Sequence, residues 1–359
     1  MKPINFASFL FTALFILVPS SIIAVLPGTW PPINAPPPAN ANFTRLVNTT
    51  KLRNAPVKRN ITAACPTTDT YCDWSCTTCT RNDTDIIRCP KQLEWALTLD
   101  DGPSQFTTAV LDYLDTQNVK VTFFVIGSNV YTYPEILLRA FKAGHQIGIH
   151  TWSHNALTTQ SSEVVIAELM YTSAAIKAAT NYTPKYMRPP FGDYDDRIRD
   201  ICTQLGLKPT IWDLDTNDWL SADDPTFNLN WIPANFTQWV NDPNLKSTGH
   251  ISLEHDLYNQ TSAQIPLVVP ILKKANYTMK PVYQCLNDPS PYVESLVVPV
   301  TTTTSTPSAA TPTNNPNSNP KSPPTRNSEA PTPTQTKSGA TKILNNDLLS
   351  LSFVVVVLF

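Results

Sequence analysis

The chain has 359 residues, a formal net charge of −2, 15% charged residues and 34 prolines. That balance offers no basic surface of the kind nucleic acid requires, so no nucleic-acid partner is expected. The length accommodates one medium-sized domain and leaves a considerable Pro-rich remainder outside any core.

Residues 1–24, "MKPINFASFLFTALFILVPSSIIA", carry one Lys, an apolar run and then small residues. This is the layout of a secretory signal peptide, and Pro19 with two serines breaks the run as a membrane anchor. Residues 25–62 are Pro- and Asn-rich ("WPPINAPPPANAN") and read as an extended lead.

Residues 63–89 hold five of the seven cysteines, Cys65, Cys72, Cys76, Cys79 and Cys89, and form a small Cys-rich cap. Zinc binding by the cluster is one reading, but export to an oxidising compartment favours disulfides. The odd count leaves one thiol unpaired or paired elsewhere. Cys89 is expected to join Cys285, because the two lie just outside the first and last predicted strands.

Residues 90–288 alternate strand-like and helix-like segments. The strand candidates are 95–100, 121–127, 146–150, 185–189, 209–214, 250–255 and 279–283. Amphipathic stretches such as "FTTAVLDYLDTQN", "PEILLRAFKAG", "SEVVIAELMYTSAAIKAAT" and "YDDRIRDICTQLG" lie between them. About seven strands with helical crossovers predict an α/β fold with parallel strands closing towards a barrel.

Beyond it, residues 299–337 turn to Thr, Ser, Pro and Asn, a composition expected to give a disordered, O-glycosylated stalk. Residues 338–359 begin with the small residues Ser338, Gly339 and Ala340 and end in "LLSLSFVVVVLF", the pattern of a removed GPI-anchor signal with Ser338 as attachment site. The tail is short for a bilayer core of about 30 Å. A terminal apolar strand is the alternative, with nothing nearby to bury it. Eight Asn-x-Ser/Thr sequons, at Asn42, Asn48, Asn60, Asn82, Asn181, Asn235, Asn259 and Asn276, suit a eukaryotic secretory product.

In βα folds the chemistry gathers at the carboxyl ends of the strands. There the sequence places Asp100 and Asp101, His150 with His154, Arg188, the run "DLDTNDW", and His255. Two histidines four residues apart and a carboxylate from another strand make a three-ligand N2O site with positions left for water and substrate, as catalytic zinc requires. The neighbouring carboxylate is then placed to act as general base, since successive side chains of an extended or turning chain diverge. The spacing is not the zincin motif, because Thr151 stands where that motif has Glu. Taken singly, "DDG" is most often a turn, Arg188 a structural ion pair and His255 a core histidine; their joint placement on one rim points to a site.

The segments "TLDDGPS", "HTWSH", "RPPFG", "DTNDW" and "LEH" resemble, in order and spacing, the five motifs of the polysaccharide deacetylases, carbohydrate esterase family 4, with the NodB-homology domain. The likeness spans roughly residues 90–285. Together with export signals, cap and stalk it is most similar to fungal GPI-anchored chitin deacetylases.

The resemblance implies a distorted (β/α) barrel and hydrolysis of the N-acetyl amides of chitin. It implies Asp100 as catalytic base and His255 as general acid. Arg188 would orient the base, Asp218 would tune the acid, and Asp101, His150 and His154 would hold one divalent ion, zinc first and cobalt as the alternative. The backbone N–H of Phe191 would help hold the oxyanion, and Trp219 and Leu253 would wall the acetyl pocket. The sequence departs from the family mildly, with Leu99 where Phe is frequent and Phe191 where Tyr is common. The implied partners are chitin or its oligosaccharides, and a membrane through the lipid anchor alone, with the protein a monomer at the outer face of the plasma membrane and in the cell wall. An acetylxylan esterase, a deacetylase of another N-acetylated glycan and a non-catalytic wall mannoprotein are the alternatives.

Overall fold

The computed structural model describes residues 25–296. The segments expected to be a signal peptide (1–24), a stalk (299–337) and an anchor signal with Ser338 (338–359) fall outside the described residues. Among the described residues no helix is long and apolar enough to cross a membrane.

The organising element is β1, Glu94–Asp100, whose seven residues are all buried. Strands covered on both faces read as near-continuous apolar runs, and "EWALTLD" does so until its last residue. On one side β1 pairs with β2 (Thr122–Val125), which pairs with β3 (Gln146–Ile149), then β4 (Tyr186–Met187) and β5 (Lys208–Pro209). On its other side lie β7 (His250–His255) and then β6 (Leu214–Asp215), while β8 (Thr278–Met279) pairs with the start of β1. Every pairing is parallel. The order β5-β4-β3-β2-β1-β7-β6 is a half-barrel with β5 and β6 at its two ends.

The α/β architecture agrees with the sequence; three strand assignments do not. Segment 209–214 is two short strands at opposite ends of the sheet, because its middle is engaged elsewhere. The Ile211 N–H donates to the Ile86 carbonyl at 2.8 Å, and the carbonyls of Thr210 and Ile211 accept from the Arg188 guanidinium at 3.2 and 3.1 Å. Segment 185–189 pairs only over Tyr186–Met187, since Pro189 and Pro190 have no N–H to offer a ladder. At 279–283 the strand ends at Met279, and a helical turn, Val282–Cys285, follows Pro281.

Helices Thr107–Gln117, Pro134–Lys142, Ser162–Thr180 and Asp196–Leu205 occupy the four amphipathic stretches, and Trp231–Asn241 and Ile265–Lys274 add two more. Asn118, Asn181 and Gly206 end three of them in left-handed conformation, as C-terminal caps do.

The cap carries disulfides Cys65–Cys76 and Cys72–Cys79, and Cys89–Cys285 joins the segment before β1 to the helical turn Val282–Cys285. Cys202 is the free cysteine; burial pushes its thiol up to about 12, which leaves it inert at neutral pH. Arg199, fully buried, fastens the cap: it pairs with Asp85 at 2.9 Å and donates to the carbonyls of Cys72 and Cys79. Residues 25–62 are not a free extended lead. Leu26 and Val47 join the core, the Trp30 ring stacks 6.0 Å from that of Trp152, and Arg53 pairs with Asp196 and Asp200 at 2.8 and 2.7 Å. An apolar residue here and there in a Pro-rich stretch is enough to anchor it.

Candidate active site

The ends of β1, β3, β4 and β7 deliver the predicted groups to one rim. Asp100 is the last residue of β1, and Asp101 follows with φ +74°. That left-handed turn sends the two carboxylates apart. Gly102 is required beside them, because a Cβ there would lie 2.5 Å from an Asp256 carboxylate oxygen.

Asp101 turns to the histidines. Its Oδ1 lies 3.3 Å from His150 Nε2 and 3.1 Å from His154 Nε2, and the three donor atoms all fall within 4.8 Å of one another. His150 Nδ1 sits 2.8 Å from the Arg188 carbonyl. A carbonyl only accepts, so Nδ1 carries the proton and Nε2 presents a lone pair to Asp101. Burial holds His154 below the usual histidine range, which keeps it neutral as a ligand must be, although Asp101 acts in the opposite direction. Asp101 Oδ1 is buried and has no hydrogen-bond partner. A buried carboxylate oxygen facing imidazole lone pairs is costly without a cation, so the donor set fits one divalent ion with three protein ligands and positions left open.

Asp100 turns instead to Arg188. Its Oδ1 accepts from Arg188 Nη1 at 2.8 Å, and its Oδ2 lies 3.7 Å from His150 Nε2. The guanidinium is fully buried, donates also to Thr98 Oγ1 at 2.6 Å, and lies 4.3 Å from the Phe124 ring centroid and 5.3 Å from that of Trp212. Four hydrogen bonds and two aromatic rings hold the Arg188 guanidinium in place. Asp100 is therefore a fixed carboxylate beside the ligand set, within reach of a water there.

His255 ends β7 one strand away, with Asp100 as its register partner. Its Nδ1 donates to Asp218 Oδ1 at 2.6 Å and its backbone N–H to Asp218 Oδ2 at 2.9 Å. Burial alone would lower its pKa; the Asp218 carboxylate overrides this and raises it to about 10. His255 is thus an imidazolium at neutral pH with a proton to give.

Phe191 sits in the turn Pro190–Gly192 with φ +60°, 54% exposed, its ring 4.6 Å from that of His154. Trp219 is exposed in the turn Asp218–Ala222. Leu253 is buried on β7, two residues before His255 and so on the same strand face. Seven of the sequon asparagines are exposed, and Asn235 is half-buried.

Three groups at the site escaped the sequence reading. Thr98 receives Arg188, and Trp74 of the cap packs on Gly192 and lies edge-on to Trp212 at 4.9 Å. Glu168, in helix Ser162–Thr180, accepts from the loop between the two histidines. Only Glu168 left a trace, as a lone acid in the apolar run "VVIAELM".

A family model described as polysaccharide deacetylase matches residues 88–210. Among solved structures, the chitin deacetylase of the fungal pathogen Colletotrichum lindemuthianum superposes with a TM-score of 0.54 at 30% identity, over 58% of this chain and 94% of that one. The chain belongs to the polysaccharide deacetylase family. Among curated members, chitin deacetylase 1 of Cryptococcus neoformans var. grubii is 38% identical over 291 residues, 75% of this chain and 61% of that protein. The chitin deacetylase of Amylomyces rouxii is 40% identical over 236 residues, 63% of this chain and 55% of its own length. The chain thus spans little more than half the length of these members of its family.

Proposed function

We propose that the protein is a chitin deacetylase, hydrolysing the N-acetyl groups of N-acetylglucosamine units to acetate and glucosamine units. The observation that carries this reading is the arrangement at the rim: Asp101, His150 and His154 as a three-ligand set, with a separately held carboxylate and a separately held imidazolium beside it. Membership of a deacetylase family supports the reaction type, and the names of the relatives support the substrate.

A divalent ion bound by Asp101, His150 and His154, zinc by the N2O ligand type, would supply Lewis acidity to water and to the acetamide carbonyl. Asp100, aimed by Arg188, takes the proton of the attacking water. The Phe191 backbone N–H donates to the oxyanion that develops on the carbonyl oxygen. His255, charged through Asp218, gives its proton to the departing nitrogen, and the C–N bond breaks. Trp219 and Leu253 line the space for the acetyl methyl.

The setting follows the same reading. Three disulfides suit an oxidising compartment. The terminal segments fit export, removal of 1–24, a glycosylated spacer at 299–337 and a GPI lipid at Ser338, with the monomeric domain at 90–288 held outside the plasma membrane and in the cell wall. The exposed sequon asparagines, from Asn42 to Asn276, are available to carry glycans. Acetate release from defined N-acetylglucosamine oligomers, run beside acetylated xylan, tests the substrate. Release from the oligomers supports the proposal, and release from xylan alone overturns it.

A further inference from the structure

Both imidazoles of the ligand set are carried by one loop that would not hold its own shape. Thr151 and His154 adopt φ of +65° and +58°, a left-handed region that strains a residue bearing a side chain. Such a loop keeps its form only when its surroundings impose it.

We propose that Glu168 is a positioning residue for the metal site: its buried carboxylate clamps residues 152–153 and so sets the spacing of His150 and His154. Glu168 is fully buried in helix Ser162–Thr180, among Val165, Ile166 and Leu169. One carboxylate oxygen accepts from the backbone N–H groups of Trp152 at 2.7 Å and Ser153 at 2.9 Å. The other accepts from Ser153 Oγ, which in turn accepts from Asn155 Nδ2 at 2.7 Å. The network therefore brackets His154 from both sides in sequence.

A carboxylate is costly to bury among apolar residues, and a hydrophobic side chain would fill the space at lower cost. Glu168 instead commits both oxygens to two of the three residues between the ligands, Trp152 and Ser153. The side chain of the loop's Trp152 is held as well. The buried Trp152 ring donates from Nε1 to the Pro32 carbonyl at 2.8 Å, beneath Trp30, and packs so closely on Gly127 that a Cβ there would lie 2.6 Å away. The hydrogen bonds of Glu168 go to Trp152 and Ser153 and not to either imidazole, so the carboxylate acts by shaping the backbone that aims them.

This inference rests on the proposed metal site and not on the identity of the substrate. Its test is zinc affinity, measured on the secreted full-length protein by competition with a chelating indicator, alongside thermal unfolding. Glu168→Met removes every acceptor and is expected to fold and to weaken zinc by about 10- to 100-fold, the usual scale for losing a group that orients metal ligands. Acetate release should return at saturating zinc. Glu168→Gln retains one acceptor for the two N–H groups and should recover part of the affinity. Ser153→Ala, which deletes only the hydroxyl contact at a half-buried position, should lose several-fold and decides the matter if Glu168→Met fails to fold. Folded variants that hold zinc within about twofold of the parent would overturn the clamp. A parent protein that binds no zinc would overturn the metal site itself, a distinct result.

Discussion

Asp100 and His255 are register partners on neighbouring parallel strands, and each is bound to a counter-ion of its own: Asp100 to Arg188 at 2.8 Å, His255 to Asp218 at 2.6 Å. Parallel pairing brings both strand ends to the same rim. Separate partners then hold the two adjacent groups independently, a carboxylate and an imidazolium side by side, as the proposed base and acid require.

Asp100→Asn separates chemistry from metal binding. The amide still accepts from Arg188 and leaves Asp101, His150 and His154 untouched, so the variant should fold and bind zinc normally. Turnover should fall by about 10²- to 10⁴-fold, the range for removing a general base. Metal analysis paired with acetate release checks both halves, and full activity would remove Asp100 from the role of base.

His255 titrates under the control of Asp218. Its pKa is raised from the ordinary histidine value to about 10, so the folded state favours the protonated form. The stability this contributes is complete below the unfolded histidine pKa of about 6.5 and is lost as pH rises through about 10. The proposed role of general acid requires His255 protonated, so activity should decline on the alkaline side. Asp218→Asn leaves burial unopposed by its principal partner, and the alkaline limb of the pH–rate profile should move to lower pH. An unmoved limb would detach His255 from that titration.

Gly192 is held at φ +64° against the cap, where an added Cβ would come 2.2 Å from the Trp74 ring. Gly192→Ala must displace either the Trp74 ring or the turn that presents the Phe191 N–H. We expect turnover to drop with zinc affinity kept, because the ligands lie on other loops. Steady-state kinetics beside metal titration distinguishes this from general unfolding.

The Cys89–Cys285 bridge spans 196 residues of sequence and ties the segment before β1 to the helical turn Val282–Cys285 after β8. Replacing both cysteines by Ser should cost about 2–5 kcal/mol, mainly by freeing the unfolded chain. Below the lowered Tm the ligand set should still bind zinc. Calorimetry and metal titration on the double variant measure the two effects.

What the sequence makes legible follows from where the physics is local. Strands β1 and β7 are buried on both faces; "WALTLD" stands out as an apolar run ending in charge and "HISLEH" as a short alternating strand ending in His255, and with them the rim. Segment 209–214 misleads because Arg188 and Ile86 take its backbone groups, a tertiary effect with no local sign. Trp74 and Trp30 reach the site region through the cap and the lead, across long sequence separations that composition cannot reveal. Glu168 lies between these cases: an acid inside an apolar helical run is visible, but the loop it serves is not.

The most direct measurement of the central claim is acetate release from an N-acetylglucosamine oligomer by protein stripped with a chelator and then titrated with zinc. Release should vanish on stripping and return at about one zinc per chain, the stoichiometry of a single three-ligand site. His154→Ala should not recover. Undiminished release by the metal-free protein would contradict the account.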